Sequence, residues 1–222
     1  MLLALDTSTR RMGVALYDGI QVIHEMTWAS NFHHTVELAP AIDLALTRAG
    51  VGADSLTVIA IARGPGSFTS LRTGLALAKG LALARRLPLI GIPSLDFLAA
   101  AQPVSDLPLA AVLESGRKRL AVGWYETVDN QWQSTGKLEL LDAQGLYDYI
   151  TEPTLLCGEL NADARALLKR KRKIALLASP AQSQRRPGYL AELAWNRWQS
   201  GQTDDPVTLA PIYLSQDDNI PA

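Results

Sequence analysis

A glycine-rich turn, Gly64-Pro65-Gly66-Ser67, separates an apolar stretch from a long segment rich in Ala and Leu, and turns of this type hold phosphate in nucleotide-binding proteins. Such a loop needs several inward-facing backbone N–H groups and usually a lysine, as in G-x-x-x-x-G-K-[ST]. Pro65 has no N–H, and no Gly-Lys-Ser/Thr follows at that spacing. The sequence therefore favours a tight strand-to-helix turn with Ser67 as the helix N-cap, and a weak anion site at the helix N-terminus is the alternative.

Metal and nucleophilic chemistry would depend on few residues, because the chain has three histidines and one cysteine. A metallopeptidase of the H-E-x-x-H type needs two histidines four residues apart on one helix. His33 and His34 are adjacent and would point about 100° apart on a helix, so we interpret them as surface or interface residues at a helix start. Cys157 lies in an apolar strand and histidine bases are scarce, which predicts a buried structural thiol.

Two basic clusters could contact the phosphates of a nucleic acid without base specificity. They are Arg117-Lys118-Arg119 and the run from Lys169 to Lys173. The alternative is a solvated helix end, where cations interact favourably with the C-terminal end of the helix dipole. For the second cluster we favour the helix end.

The composition excludes several classes of protein. The 222-residue chain has a net charge of −1, so it has no overall attraction to nucleic acid or to a membrane. A single cysteine rules out an internal disulfide, which is typical of a reducing compartment. The most apolar stretch is interrupted by Lys79 and is shorter than a membrane span requires. We therefore expect a cytoplasmic protein.

The elements that must position these residues form two lobes, each opening with a strand and a hairpin and continuing into alternating helices and strands. Asp18-Gly19 predicts the first hairpin, and the glycine turn leads into a helix from about Phe68 to Arg86. The proline-rich stretch 101–108 is the clear linker, which gives lobes over 1–103 and 104–222, the last segment able to pack back toward the first lobe. The pattern predicts an α/β fold with a mixed sheet in each lobe, and the shared order allows for a duplication.

Four stretches together resemble the TsaB (YeaZ) family: ALDTST at the start, HHTVELAPAID on the first helix, GPGSFTSLRTGLALAKGLA on the second and PIYL near the end. The resemblance implies the two-lobed fold of the superfamily that contains actin, heat-shock chaperones and sugar kinases. It also implies a role in the formation of N6-threonylcarbamoyladenosine at position 37 of tRNAs that read codons beginning with adenine. The implied role is that of a non-catalytic relative of TsaD that pairs with TsaD, with TsaE joining the assembly.

The same resemblance directs attention to Asp6. In active kinases and ATPases of that superfamily, an aspartate followed by a glycine-containing hairpin contacts phosphate and metal, because glycine lets the backbone approach the phosphates. Thr7 and Ser8 carry side chains at those positions, so Asp6, Thr7 and Ser8 would form a degenerate phosphate site. The alternative, which we favour, is an aspartate that accepts local hydrogen bonds at a strand end.

The helix after the glycine turn has more apolar surface than one sheet face would cover, which is typical of a protein interface. Burial under another helix of the same chain is the alternative. The resemblance implies that the first two helices of TsaB and TsaD pack as a bundle. We expect the chain alone to pair with itself through the same helices, since self-pairing is the easiest way to cover them. The residues assigned to this interface are Leu38, Ile42, Leu46, Leu71, Arg72, Leu75, Ala78 and Lys79.

The sequence departs from the family pattern in four places: Ser70 replaces a glycine, Glu114 an aspartate with Ala121 for a tyrosine, Ser215 an arginine, and Arg10-Arg11 is an unusual basic pair. The last three concern contacts with the partner and the tRNA. Two other functions stay open. An ATPase or phosphotransferase predicts ATP binding that is lost on Asp6→Ala, and a metallopeptidase predicts bound metal. We expect no cofactor of the chain's own, with ATP or ADP at the interface of the complex as an open possibility, and tRNA contact only through the complex.

Overall fold

The computed structural model describes residues 1–30, 34–116 and 118–214. His33, Arg117 and Ser215, which the sequence singled out, lie outside the described residues. The chain forms two compact units. Unit 1 comprises Met1–Phe97 and Arg186–Ile212, and unit 2 comprises Leu98–Arg185 with residues 213–214. The division therefore falls after Phe97, and residues 186–212 return to the first unit.

In each unit, three consecutive strands are followed by alternating helices and strands. The strands are β1 (Leu2–Asp6), β2 (Arg11–Tyr17), β3 (Val22–Ala29), β4 (Val58–Ala62), β5 (Leu89–Ile92), β6 (Leu109–Glu114), β7 (Leu120–Val128), β8 (Gln131–Leu141), β9 (Thr154–Gly158) and β10 (Ala175–Leu177). The α-helices are α1 (His34–Ala49), α2 (Phe68–Arg85), α3 (Ser94–Ala100), α4 (Ala143–Tyr149), α5 (Ala162–Leu168) and α6 (Pro187–Gln199).

Unit 1 is built on a mixed sheet in the order β3-β2-β1-β4-β5. The first three strands are antiparallel neighbours, and β4 and β5 run parallel to β1. Helices α1 and α2 cover one face of this sheet, and α6 covers the other. Successive side chains of β1 point to opposite faces, so all five of its residues are buried. This is why β1 reads as a continuous apolar run rather than an alternating one.

Unit 2 repeats this arrangement. Its sheet has the order β8-β7-β6-β9-β10, with β7 antiparallel to β6 and β8, and with β9 and β10 parallel to β6. Helices α4 and α5 stand where α1 and α2 stand in unit 1, and their apolar residues pack with those of β6, β7 and β9. The two units therefore share strand order, strand direction and helix placement, which supports the duplication that the sequence allowed for.

The end of unit 1 runs along the open edge of β5. The Asp204 N–H donates to the Leu89 carbonyl oxygen at 2.8 Å, and the Ile212 N–H donates to the Arg63 carbonyl oxygen at 2.6 Å. Between them, the buried side chain of Leu209 joins the core. We call residues 204–212 the β5 edge segment.

The sequence-based prediction of the fold is confirmed in its main features. Both sheets are mixed, and α2 occupies almost the predicted range. The Asp18 hairpin is confirmed, with Asp18 Oδ1 accepting hydrogen bonds from the N–H groups of Ile20 and Gln21 at 2.7 Å each. These backbone N–H groups lower the pKa of the Asp18 carboxyl.

Candidate functional site

The glycine turn between β4 and α2 uses its backbone donors within the chain. The Gly64 N–H donates to Ser94 Oγ at 3.0 Å, and the Ser67 N–H donates to the Ser8 carbonyl oxygen at 2.7 Å. A Cβ atom on Gly66 would lie 2.0 Å from that same oxygen, so only glycine fits there. The backbone of the turn therefore packs directly against the β1–β2 loop.

Ser67 stands at the predicted N-cap of α2, but its side chain makes no capping hydrogen bond to the helix backbone. Its hydroxyl instead accepts a hydrogen bond from Ser70 Oγ at 2.9 Å. The departure at Ser70 is therefore buried and has a local structural role, because the side chain ties the first turn of α2 to the residue before it.

Asp6, Thr7 and Ser8 come together as a closed, buried loop at the end of β1. Asp6 Oδ1 accepts hydrogen bonds from the Ser8 N–H at 2.9 Å and from Ser8 Oγ at 2.6 Å, and the Ser8 hydroxyl oxygen lies 2.5 Å from that of Ser94. A Cβ atom on Gly74 would lie 2.0 Å from Thr7 Oγ1, so α2 packs directly on the loop. This is the local hydrogen-bonding arrangement that the sequence favoured over a phosphate site.

The corresponding strand end in unit 2 is closed by a carboxylate of the chain. The N–H of Glu114, the last residue of β6, donates to Glu159 Oε2 at 3.2 Å. Glu159 Oε1 accepts from Arg185, whose side chain is almost entirely buried. An acidic side chain therefore occupies the position where an anion would meet the strand-end N–H. Sequence analysis missed Glu159 and Arg185, since nothing in their spacing, 26 residues apart, indicates that they pair.

The interface assignment from the sequence needs correction for most of its residues. Six of the eight side chains lie in the chain's own interior, because α1 and α2 direct them onto the sheet of unit 1 and onto the turn before α2. Arg72 is exposed and Lys79 partly so. The six buried residues are Leu38, Ile42, Leu46, Leu71, Leu75 and Ala78.

Other apolar side chains stand on the outward sides of α1 and α2. Val36 is 65% exposed and Leu44 40% on α1, and Phe68 is 53% exposed and Leu83 64% on α2. The guanidinium of Arg72 lies over the Phe68 ring, 3.7 Å from its centroid. We call these five residues the α1/α2 patch. On α2, spacing alone does not separate these residues from the core positions, because that helix is apolar almost all round.

The basic run from Lys169 to Lys173 divides into side chains with different roles. Lys171 Nζ donates to the carbonyl oxygens of Tyr147 at 2.6 Å and Ile150 at 2.9 Å, at the C-terminal end of α4. It also lies 4.3 Å from the centroid of the Tyr147 ring. For Lys171 the predicted helix-end role is confirmed, although the helix it caps is α4 and not α5.

Cys157 is buried, and burial raises the pKa of its thiol to about 12, as expected of a structural cysteine. Within residues 1–30, 34–116 and 118–214, no group of three or more His, Cys, Asp or Glu side chains is placed to hold a metal ion. In the same ranges, no helix is both long and apolar enough to cross a bilayer.

Two five-stranded mixed sheets of one topology, each with helices, define the class of protein. Component A of the (R)-2-hydroxyglutaryl-CoA dehydratase of Acidaminococcus fermentans has the same fold, with a TM-score of 0.53 at 11% identity over 88% of this chain and 98% of that one. The chain shares this α/β fold, in which each of two units is built on a mixed five-stranded sheet with helices.

Closer relatives narrow this class. Residues 27–144, more than half of the chain, match the family model described as TsaD: tRNA N6-adenosine threonylcarbamoyltransferase. The structure is similar to YeaZ from Pseudomonas aeruginosa, with a TM-score of 0.77 at 25% identity over 96% of this chain and 99% of that one. The chain belongs to this family, as a member of its TsaB (YeaZ) branch.

Two curated relatives carry the name tRNA threonylcarbamoyladenosine biosynthesis protein TsaB. The protein from Bacillus subtilis is 33% identical over 125 residues, which cover 56% of this chain and 55% of the relative. The protein from Haemophilus influenzae is 43% identical over 102 residues, which cover 45% and 42%. The chain thus spans about half the length of the curated relatives it matches.

Proposed function

We propose that this chain is a non-catalytic scaffold subunit in the formation of N6-threonylcarbamoyladenosine at position 37 of tRNAs that read codons beginning with adenine. It would bind a TsaD-type catalytic subunit, with TsaE joining the assembly, and hold that subunit in its active conformation. The observation that carries the proposal is the closure of both strand ends by the chain's own groups. The names of its TsaB relatives and the match to the TsaD family model support the pathway.

The closed strand ends support a role without phosphoryl transfer. An ATPase of this fold needs backbone N–H groups and a carboxylate available to phosphate and metal. Here Asp6 Oδ1 is engaged by Ser8, and the N–H of Glu114 by Glu159. An ATPase is therefore the weaker candidate. It would show as saturable ATP binding by the isolated chain that is lost in Asp6→Ala.

The α1/α2 patch supports the role of a partner surface. Large apolar side chains that stand outward on neighbouring helices are typical of a protein interface. Arg72 over Phe68 adds an aromatic and guanidinium pair, the kind of group that is enriched where binding energy concentrates. We propose that this patch, rather than the six buried residues, contacts TsaD. In the absence of TsaD it would pair two copies of the chain, and ATP or ADP would bind only where the partner completes a site.

The test is co-purification of the tagged full chain with a TsaD-type partner. Phe68→Glu and Leu83→Glu place a charge on the α1/α2 patch, so we expect partner recovery to fall at least tenfold while the fold persists. Ile20→Glu is the matched control, because Ile20 is an apolar side chain that is 86% exposed on the β2–β3 turn. Normal recovery with both patch variants would disprove the interface.

A further inference from the structure

Unit 2 contains a groove of about 670 Å³ beside β10. One wall is aliphatic and includes Val104, Leu109, Leu155 and Leu176. The other wall carries three cations, Arg165, Lys169 and Arg172. Among the described residues that line it, none is acidic and none is aromatic. A ligand that complements these walls is anionic on one side and aliphatic on the other.

The groove lies along the outer edge of β10, which is the last strand of its sheet. On the inner side, the Ile174 carbonyl oxygen accepts from the Thr154 N–H at 2.7 Å, and the Ala178 N–H donates to the Leu156 carbonyl oxygen at 2.8 Å. Because alternate residues of a parallel strand bond to one side, the backbone N–H and C=O groups of Ala175 and Leu177 face the outer edge. Such an edge is a template for an added strand.

The two walls correspond to the two faces that an added strand would present. Leu176 is in register with Leu155, and Leu155 with Leu109, so these side chains share one face of the sheet. Helix α5 and the turn after it, which carry the three cations, lie on the opposite face. Side chains alternate along a strand, so a strand added to β10 would direct every second residue to the leucines and the others toward the cations.

Two of the three cations are available for such a partner. Arg165 Nη2 donates to the Ala178 carbonyl oxygen at 2.7 Å, which holds this side chain beside the β10 edge. Lys169 and Arg172 are exposed, and within the described part of the chain neither side chain forms a hydrogen bond or ion pair. Lys171, between them, is engaged by α4. The positive charge of the groove is therefore carried by exposed side chains that a second chain can reach.

Unit 1 shows how this fold accommodates a segment at the equivalent edge. There the strand that corresponds to β10 is β5, and its outer edge is covered by the β5 edge segment. That segment brings an acidic side chain, Asp204, to within 3.3 Å of Arg197, and an aliphatic one, Leu209, into the core. In the described part of unit 2, no strand pairs with the outer edge of β10.

We propose that the β10 groove binds an extended segment of a partner protein in which acidic and aliphatic residues alternate. The segment adds a strand to β10, packs its aliphatic side chains on the half-buried Leu155 and Leu176, and pairs its carboxylates with Lys169 and Arg172. This surface is separate from the α1/α2 patch and does not depend on the proposed function.

The test measures fluorescence anisotropy of a fluorescein-labelled hexapeptide of alternating Leu and Glu with the full chain. We expect saturable binding that weakens as salt is raised, since the pairs are solvent-exposed. The double variant Lys169→Glu/Arg172→Glu should bind at least tenfold more weakly. Arg170→Glu/Lys173→Glu is the matched control, because it makes the same charge change in the same run outside the groove lining and should bind as the unaltered chain does.

Two further probes define the partner. A hexapeptide of alternating Leu and Lys should fail to bind, and so should a mixed-sequence RNA of similar charge. The proposal is overturned if the Leu/Glu peptide does not bind, or if the two double variants lose binding equally. It is also overturned if the RNA binds and loses affinity in Lys169→Glu/Arg172→Glu, because the groove would then serve a nucleic acid.

Discussion

At the scale of single residues, the positions of glycine determine how closely other parts of the chain pack on the β1–β2 loop. Gly66 and Gly74 allow the turn and α2 to lie against Ser8 and Thr7, where a methyl group would overlap their atoms. The glycines therefore allow close contact between parts of the chain. Because glycine has no Cβ, it lets either a ligand or another part of the chain lie against the backbone of a turn.

Two glycines of α2 provide a matched test of this closure. Gly74→Ala should lower the free energy of unfolding by about 1–3 kcal/mol, because the new methyl group overlaps Thr7. Gly80→Ala should raise it by about 0.5–1 kcal/mol, since no atom lies within 4 Å of the added carbon and alanine restricts the unfolded chain. Urea unfolding measures both. Equal effects of the two substitutions would show that the loop is not packed as described.

Cys157 allows a test of burial through its thiol. Burial raises its pKa from 9.0 to about 12, so native protein at pH 8 should not react with Ellman's reagent, whereas urea-unfolded protein should. The unfolded chain forms the thiolate more readily, so this group's contribution to stability is complete below pH 9 and is lost between pH 9 and 12. By pH 10 the loss should be on the order of 1 kcal/mol, and it should be absent in Cys157→Ala. Rapid labelling of the native protein would contradict this burial.

At the scale of elements, sequence could predict where helices and strands lie but not which side of α2 is covered. Helix α2 is apolar almost all round, so its spacing does not distinguish a residue such as Leu75, which faces the sheet, from Leu83, which faces outward. Which side of α2 faces the sheet depends on the direction in which the helix leaves the turn at Gly64. That direction is set by long-range contacts with Ser8 and Ser94.

Other parts of the site were predictable from local chemistry alone. The Asp18 hairpin and the hydrogen bonds of Asp6 to Ser8 lie within two or three residues in sequence, and both were anticipated. The return of α6 to unit 1, the Glu159–Arg185 pair and the β5 edge segment join residues far apart in sequence. No periodicity within a single element carries information about such contacts.

The β5 edge segment yields a prediction at this scale. Asp204 Oδ2 accepts a hydrogen bond from the Gly91 N–H at 2.8 Å and lies beside Arg197. Asp204→Ala therefore removes the hydrogen bond and the ion pair that fix this side chain at the β5 edge. We expect the free energy of unfolding to fall by about 1–3 kcal/mol and the amides of residues 204–212 to exchange faster with deuterium. Asp43→Ala, an exposed substitution on α1, should change neither.

At the scale of the whole molecule, two units of one topology each engage the end of their first strand with groups of the chain itself. Unit 1 does so with a turn and a helix, and unit 2 with a carboxylate and a buried arginine. The chemistry of the proposed reaction would then take place on the TsaD-type partner. This chain would contribute a surface, and its own stability would not depend on nucleotide.

The most direct test is the rate of tRNA threonylcarbamoylation by a reconstituted TsaD-type enzyme with its other components, measured with and without this chain. We expect no modification by the chain alone, a large increase in rate when it joins the partner, and loss of that increase with Leu83→Glu but not with Ile20→Glu. Modification by the chain alone, or full activation by a folded Leu83→Glu variant, would contradict the account.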